Sequence, residues 1–238
     1  MSLIEDLACA YRILAEHGVI DGYGHVSVRS ERDSGRYLLA RSLAPELVTE
    51  ADIMEYDLDS TPLEPRGRES VRERFIHGEI YRARPEVQAV VHNHSPSVIP
   101  FGVTTAALRP IFHMAAFVGE GVPTFEIRDA QQGTDLLVKT PVLGQALART
   151  LAKHPAALMR GHGAVVVGEN LPRAVGRSIY LEINAQLQAQ AMAIAGPAGK
   201  ITYLDDREVA ASTPVQDYGR AWHLWRSKAL VRIRETPG

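Results

Sequence analysis

The chain contains the sequence Val-Val-His-Asn-His-Ser-Pro at residues 90–96. Its apolar beginning predicts a buried β-strand, in which side chains at positions i and i+2 point to the same face. His92 and His94 would therefore direct two imidazoles to one point, and neutral imidazoles bind divalent transition metals. Hydrogen-bonded core histidines can have the same spacing, so the pair alone leaves both interpretations open.

A third histidine makes the metal interpretation stronger. His162 is flanked by glycines within Ala-Ala-Leu-Met-Arg-Gly-His-Gly-Ala-Val-Val-Val-Gly at residues 156–168, where one predicted strand ends and another begins. Glycines allow close approach of the backbone, and three histidines with an open coordination position are typical of catalytic metal sites. His17 and His154 lie near predicted helix ends and are interpreted as solvated. His92, His94 and His162 are therefore candidate metal ligands.

The composition indicates a soluble globular protein. The chain has 238 residues, of which 45% are hydrophobic and 23% are charged, and its net charge is −2. These values argue against general binding to nucleic acid or to acidic membranes. The sequence shows no membrane span and no signal peptide, so we expect a cytoplasmic protein. The single cysteine, Cys9, excludes an intrachain disulfide and fits a helix core.

Hydrophobic periodicity predicts helices and strands that alternate along the chain. This alternation indicates helices layered around a sheet, and on its own it favours a parallel sheet. Without an internal linker, residues 1–200 are expected to form the catalytic domain. Residues 201–238 are expected to form a tail that packs on the same domain or on a neighbouring subunit. The predicted helices span residues 3–17, 69–84, 141–154 and 170–195, and the main strands span 24–29, 36–41, 88–94 and the two sides of His162.

Glu73 lies on the predicted helix 69–84, four residues before His77, so the two side chains would share one helix face. The surrounding segment is rich in charge, which is also typical of an exposed helix. Near a metal ion, however, a carboxylate could move a proton during catalysis.

Four blocks of sequence resemble the class II aldolase/adducin superfamily, which includes fuculose- and rhamnulose-phosphate aldolases and ribulose-phosphate 4-epimerase. The resemblance covers about residues 5–195. In chain order the blocks are GYGHVSVR at 22–29, RSLAPELVTEADI at 41–53, Glu73 and His77 followed by RPEVQAVVHNH at 84–94, and RGHGAVVVGENLPRAV at 160–175.

The resemblance implies a fold and a site. The implied fold is a three-layer α/β/α sandwich with a mixed, mainly antiparallel central sheet, which differs from the parallel sheet that alternation alone favours. The implied assembly is a homotetramer with active sites between subunits. The implied roles are metal ligation by His92, His94 and His162, and acid/base catalysis by Glu73.

Three departures from the sugar-phosphate enzymes bear on the substrate. His25 replaces an asparagine, and Ser42-Leu43-Ala44 replaces a pair of serine or threonine with glycine. Val71 and Arg72 replace two serines directly before Glu73. In the family, these hydroxyl and glycine positions surround the phosphate. A phosphorylated ketose is therefore a poor candidate substrate.

With GHVSVR at 24–29 and HMAAF at 113–117, the chain closely resembles a branch typified by 3-hydroxy-2-methylpyridine-4,5-dicarboxylate and dihydroxyphthalate decarboxylases. Their substrates carry a carboxylate beside a ring hydroxyl. Arg41, with Ser42, would hold a second carboxylate through bidentate hydrogen bonds. Glu73, His25 or His113 would supply the proton. Structural roles for Arg41 and His25 are the alternative.

The predicted function is thus a metal-dependent decarboxylase of a hydroxy-substituted aromatic or heteroaromatic (di)carboxylate. The expected ion is Mn²⁺ or Zn²⁺, with Fe²⁺ less favoured. The main alternative is a class II aldolase that acts on an unphosphorylated hydroxy-keto acid. An iron-dependent oxygenase and a non-catalytic, adducin-like module are further alternatives.

Overall fold

A single mixed sheet forms the centre of the molecule. The computed structural model describes residues 2–235. Seven strands follow the order β3-β2-β1-β4-β7-β6-β5, and within the described residues every pair except β5–β6 is antiparallel. This confirms the mainly antiparallel sheet and overturns the parallel one. The strands are β1 (His25–Arg29), β2 (Arg36–Ala40), β3 (Ile53–Asp57), β4 (Ala89–Asn93), β5 (Thr124–Phe125), β6 (Ala156–Met159) and β7 (Gly163–Gly168).

Helices cover both faces of this sheet. They are α1 (Leu3–Glu16), α2 (Phe75–Ala83), α3 (Ile99–Val103), α4 (Pro141–Leu151), α5 (Leu171–Ala195), α6 (Asp206–Ser212) and α7 (Gly219–Glu235). Among the described residues, each helix is too short or too polar to cross a membrane.

Consecutive residues of β4 face two different hydrophobic cores, as the alternation of a strand requires. Val91 packs in the core under α1, α5 and α7, whereas Val90 packs in the core under α2 and α4. The layers are therefore helix, sheet and helix, which confirms the three-layer α/β/α sandwich.

Local sequence signals fix the ends of the main helices. The Ser2 hydroxyl accepts a hydrogen bond from the Glu5 backbone N–H at the start of α1. Thr140 and Asn170 cap α4 and α5 in the same way, and each is followed by a proline in the first turn. Side chains of this kind satisfy backbone donors that a helix start leaves unpaired.

The helix predicted over residues 69–84 begins later, at Phe75. The backbone N–H of Ser42 donates to the Glu69 carbonyl at 2.7 Å, and Arg41 forms an isolated β-bridge with Ser70. These bonds hold the segment extended, so the chain needs a turn before the helix can begin. Glu73 lies in that turn, and the prediction that it shares a helix face with His77 is wrong.

The C-terminal segment packs on the same chain within the described residues, while residues 236–238 lie outside them. Trp222 and Trp225 of α7 are buried in the core that includes α1 and α5. The His17 ring lies against Trp225 with ring centroids 5.1 Å apart. Arg226 forms an ion pair with Asp6 at 2.6 Å. The aromatic residues of the segment therefore have a packing role inside one subunit.

Candidate metal centre

Four side chains from three parts of the chain converge beside the end of β4. Each offers one nitrogen or oxygen ligand atom, and these atoms all lie within 4.8 Å of one another. His92 lies on β4, His94 follows it, His162 connects β6 to β7, and Glu73 lies in the turn before α2. We call Glu73, His92, His94 and His162 the His/Glu cluster.

Backbone carbonyls fix the tautomers of two of these histidines. Nδ1 of His92 lies 3.2 Å from the Ala164 carbonyl oxygen, and Nδ1 of His162 lies 3.0 Å from that of Leu136. A carbonyl only accepts hydrogen bonds, so each Nδ1 carries the hydrogen and each Nε2 presents a lone pair. This is the tautomer in which metal-binding histidines are commonly held.

The Nε2 atoms of the histidines lie close together at the centre of the cluster. Nε2 of His162 lies 3.1 Å from Nε2 of His94. Nε2 of His92 is buried and has no hydrogen-bond partner among residues 2–235. Burial lowers the pKa of His92 well below its usual range, and the neighbouring histidines add to this effect. Burial likewise lowers the pKa of His94, so both rings favour the neutral form that binds metals.

The Glu73 carboxylate lies beside the three histidines as the fourth member of the cluster. Its Oε1 accepts a hydrogen bond from the Val138 backbone N–H at 2.8 Å. Its Oε2 lies 3.5 Å from Nε2 of His162 and 3.7 Å from Nε2 of His92. Burial raises the pKa of Glu73, and His162 opposes this shift. Imidazole nitrogens with one carboxylate oxygen suit a divalent transition metal, so the residues present fit such an ion.

Glycines bring His162 to this position. A Cβ atom at position 163 would collide with the Asn93 carbonyl, so glycine permits β7 to approach the end of β4. Gly161 has a φ of +65°, a backbone conformation that favours glycine. The prediction that these glycines permit close backbone approach is confirmed at Gly163.

The cluster opens into a cavity of about 690 Å³. Three cluster residues line it, and much of the remaining wall is small or apolar. A cavity of this size fits a small organic molecule. Its lining residues are Gly22, Tyr23, Gly24, His25, Ser42, Leu43, Ala44, Val71, Arg72, Glu73, His92, His94 and Leu137.

A second group of polar side chains lies behind the cavity, and we call it the buried polar chain. Nδ1 of His25 lies 2.6 Å from Nε2 of His77, whose Nδ1 lies 2.6 Å from the Ser27 hydroxyl. That hydroxyl lies 2.8 Å from the Tyr81 hydroxyl. Burial lowers the pKa of His25 to about 3 and that of His77 well below its usual range. Both rings are therefore neutral at physiological pH.

The structure brings only some of the sequence-predicted site residues to the cavity. His25 and Ser42 line it. Arg41 does not, because its Nε donates to the Asp52 carboxylate at 2.6 Å. Burial alone would raise the pKa of Asp52, but the hydrogen bonds from Arg41 and Thr49 together lower it. The side chain of His113 is exposed and lies outside this chain's cavity.

Sequence reasoning named Arg72 and His77 but did not predict the place of either residue in the site. Arg72 lines the cavity, and its position next to Glu73 was a usable signal. His77 is the partner of His25 rather than of Glu73. No local signal identifies this pair, because the two residues are 52 positions apart.

Comparison with known proteins places these features in a family. Residues 5–189 match the family described as Class II Aldolase and Adducin N-terminal domain. The chain is 36% identical to the decarboxylase tropJ of Talaromyces stipitatus, over 95% of this chain and 91% of that protein. It is 30% identical to the 3,4-dihydroxyphthalate decarboxylase of Arthrobacter keyseri, over 96% of this chain and 93% of that protein.

A solved structure gives a similar result for the fold. The L-fuculose 1-phosphate aldolase from Glaciozyma antarctica superposes with a TM-score of 0.76 and 26% sequence identity. The superposition covers 98% of this chain and 88% of that one. The fold of this chain is thus similar to that of an L-fuculose 1-phosphate aldolase over nearly its whole length.

Proposed function

The chain belongs to the class II aldolase and adducin family, and from this premise we propose that it is a metal-dependent decarboxylase. Its substrate is a hydroxy-substituted aromatic or heteroaromatic carboxylate, with the reacting carboxylate ortho to a ring hydroxyl. The observation that carries the proposal is the His/Glu cluster at the cavity, where the buried Nε2 of His92 has no partner among the described residues. The two decarboxylase relatives support this choice of reaction.

In this proposal His92, His94 and His162 hold the ion through their Nε2 atoms, and the ion is Mn²⁺ or Zn²⁺. When bound, such an ion supplies Lewis-acid stabilisation of negative charge. The carbonyls of Ala164 and Leu136 keep two of the rings in the orientation that ligation requires.

Glu73 provides the proton. Loss of CO2 breaks a carbon–carbon bond and leaves an electron pair on the ring carbon, which must then accept a proton. The Val138 N–H fixes Oε1 of Glu73, so Oε2 is the oxygen directed towards the histidines and the cavity. General acids positioned in this way contribute large rate accelerations.

His25 and Ser42 contact the substrate. Because Nδ1 of His25 is bonded to His77, its Nε2 is the ring atom left to hydrogen-bond a ligand. The Ser42 hydroxyl can donate to or accept from the same ligand. Both residues line the cavity, which supports these roles.

The proposal includes a homotetramer with active sites at subunit interfaces. His113 is exposed outside its own cavity, so any contribution from it would be made to the site of a neighbouring subunit. The native mass by sedimentation tests the assembly. If the protein were a monomer with full turnover, His113 would not contribute to the active site.

The deciding experiment measures CO2 release from metal-free protein with and without added Mn²⁺ or Zn²⁺. The panel contains 3,4-dihydroxyphthalate, hydroxypyridine dicarboxylates and hydroxybenzoates. We expect release only with metal, and none from the His94→Ala variant. Metal-independent release would contradict the role of the ion.

An aldolase acting on an unphosphorylated hydroxy-keto acid is the second candidate. The structural likeness to L-fuculose 1-phosphate aldolase favours it, because cleavage next to a carbonyl needs the same stabilisation of negative charge. The products separate the two functions. CO2 supports the decarboxylase, whereas an aldehyde with a keto acid supports the aldolase.

A further inference from the structure

Arg72 is the one lysine or arginine among the described residues that line the cavity. Its side chain is exposed, and it has no hydrogen bond or ion pair within residues 2–235. It directly precedes Glu73, so its cationic group is attached to the chain beside the His/Glu cluster. Among the described residues, this positive charge therefore makes no contact that would stabilise the fold.

The neighbouring arginines differ in this respect. Arg68 donates to the Ala51 carbonyl at 2.9 Å, and Arg74 donates to the Ser60 carbonyl at 2.9 Å. Arg41 is held by Asp52. Each of these guanidinium groups supports the local backbone or an ion pair. Arg72 alone among the four is left to bind a ligand.

The cavity separates two kinds of surface. The His/Glu cluster provides the ligands for an ion, whereas Leu43, Ala44, Val71 and Leu137 provide small or apolar contacts suited to a ring. A guanidinium at the wall of such a cavity matches the planar geometry of a carboxylate and forms two parallel hydrogen bonds with it.

We propose that Arg72 binds the carboxylate that the substrate retains, so that the preferred substrates are aromatic dicarboxylates. This inference rests on the proposed function and deepens it, because it assigns the second carboxylate to Arg72 rather than to Arg41. The carboxylate that is lost lies at the His/Glu cluster, and the retained one lies at Arg72.

The test uses two unreactive probes, phthalate and benzoate, which differ by one carboxylate. Their affinities for Mn²⁺-loaded protein are measured by calorimetry. We expect phthalate to bind more tightly than benzoate. In Arg72→Gln, the affinity for phthalate should fall by roughly 10- to 100-fold, the range for loss of a hydrogen bond to a charged group. The affinity for benzoate should change little. Arg72→Lys, which keeps the charge without the planar group, should recover part of the loss.

Two further variants make the result specific. Arg41→Gln should retain the preference for phthalate. Arg66→Gln, at an exposed arginine whose partner is Glu64, serves as the matched control and should behave like the unmodified protein. Unchanged manganese content shows that each variant is folded.

The inference is overturned if the unmodified protein shows no preference for phthalate, if Arg72→Gln keeps the preference, or if Arg41→Gln loses it. These readouts do not depend on turnover. A protein that releases no CO2 but shows the Arg72-dependent preference would contradict the proposed reaction and retain the carboxylate site. A protein that releases CO2 but shows no such preference would support the proposed reaction and contradict the carboxylate site at Arg72.

Discussion

Two groups of buried polar residues lie side by side in this molecule, and they differ in how their hydrogen-bonding atoms are satisfied. In the buried polar chain, the four side chains pair with one another over 2.6–2.8 Å. In the His/Glu cluster, the ligand atoms gather within 4.8 Å of one another, and Nε2 of His92 has no hydrogen-bond partner among the described residues. An unpaired buried polar atom destabilises a fold unless a ligand satisfies it.

The difference supports the proposal that the histidines of the His/Glu cluster bind a metal ion. The buried polar chain makes its links from His25 to Tyr81 internally, so it can hold His25 in one orientation at the cavity wall, with Nε2 of His25 left for a ligand. In the proposed function, a bound metal ion would satisfy the Nε2 atom of His92, which has no hydrogen-bond partner among the described residues. His25 and His92 are paired residues of β1 and β4, so the two groups meet at the cavity.

Replacing one of the proposed metal-binding histidines is the change expected to have the largest effect. His94→Ala removes one of the lone pairs, so metal affinity should fall by more than about 100-fold, beyond what loss of an outer-shell partner costs. Metal content after dialysis and the rate of turnover measure this. His223→Ala, at an exposed histidine of α7, is the control and should change neither. A variant at position 94 with full metal content would show that the ligand assignment is wrong.

Replacing the carboxylate should separate catalysis from metal binding. Glu73→Gln keeps an oxygen that can accept from the Val138 N–H but removes the acid, so turnover should fall by roughly 10²- to 10⁴-fold. Metal content should change far less than in His94→Ala. Glu69→Gln, at an exposed carboxylate four residues earlier, is the matched control. Turnover within twofold of the unmodified protein would exclude Glu73 as the acid.

The smallest expected effect concerns the buried polar chain and appears in stability. His77 stays neutral in the folded state because burial lowers its pKa, whereas the unfolded chain binds a proton as the pH falls below about 6.5. The unfolded state then holds more protons, so the free energy of unfolding decreases as the pH falls, by up to about 1.4 kcal/mol per pH unit for one such group.

His77→Gln tests this contribution in the metal-free protein. The variant should lose about 1–3 kcal/mol at neutral pH, because Ser27 and His25 lose a partner. Below pH 6.5, its free energy of unfolding should depend less steeply on pH. The decrease in slope should correspond to about one fewer proton taken up on unfolding. Denaturant titrations at several pH values measure both quantities, with His223→Gln as the control. An unchanged slope would mean that His77 is not the group responsible.

Parts of the site follow from local sequence alone. The i, i+2 spacing of His92 and His94 and the glycines around His162 made the three histidines candidate ligands, and the family resemblance assigned them that role. Glu73 is different. From the residues it could have been one charge on an exposed helix, and resemblance to a family gave it a role. Its actual place depends on backbone bonds at Glu69 and Ser70 that delay the start of α2.

The sequence by itself determined the helix layers around a sheet, the bounds of α1 and α5, and the shared direction of His92 and His94, because periodicity acts over a few residues. The pairing of β4 with β7, which brings His162 to the other two histidines, belongs to the tertiary structure. The tertiary structure decided the remaining pairings: His25 with His77, Arg41 with Asp52, and Arg72 left at the cavity. These depend on the register between β1 and β4 and on the turn before α2, which bring together residues that are distant in the chain. Local patterns carry no information about which of several arginines or histidines will find a partner across such a distance.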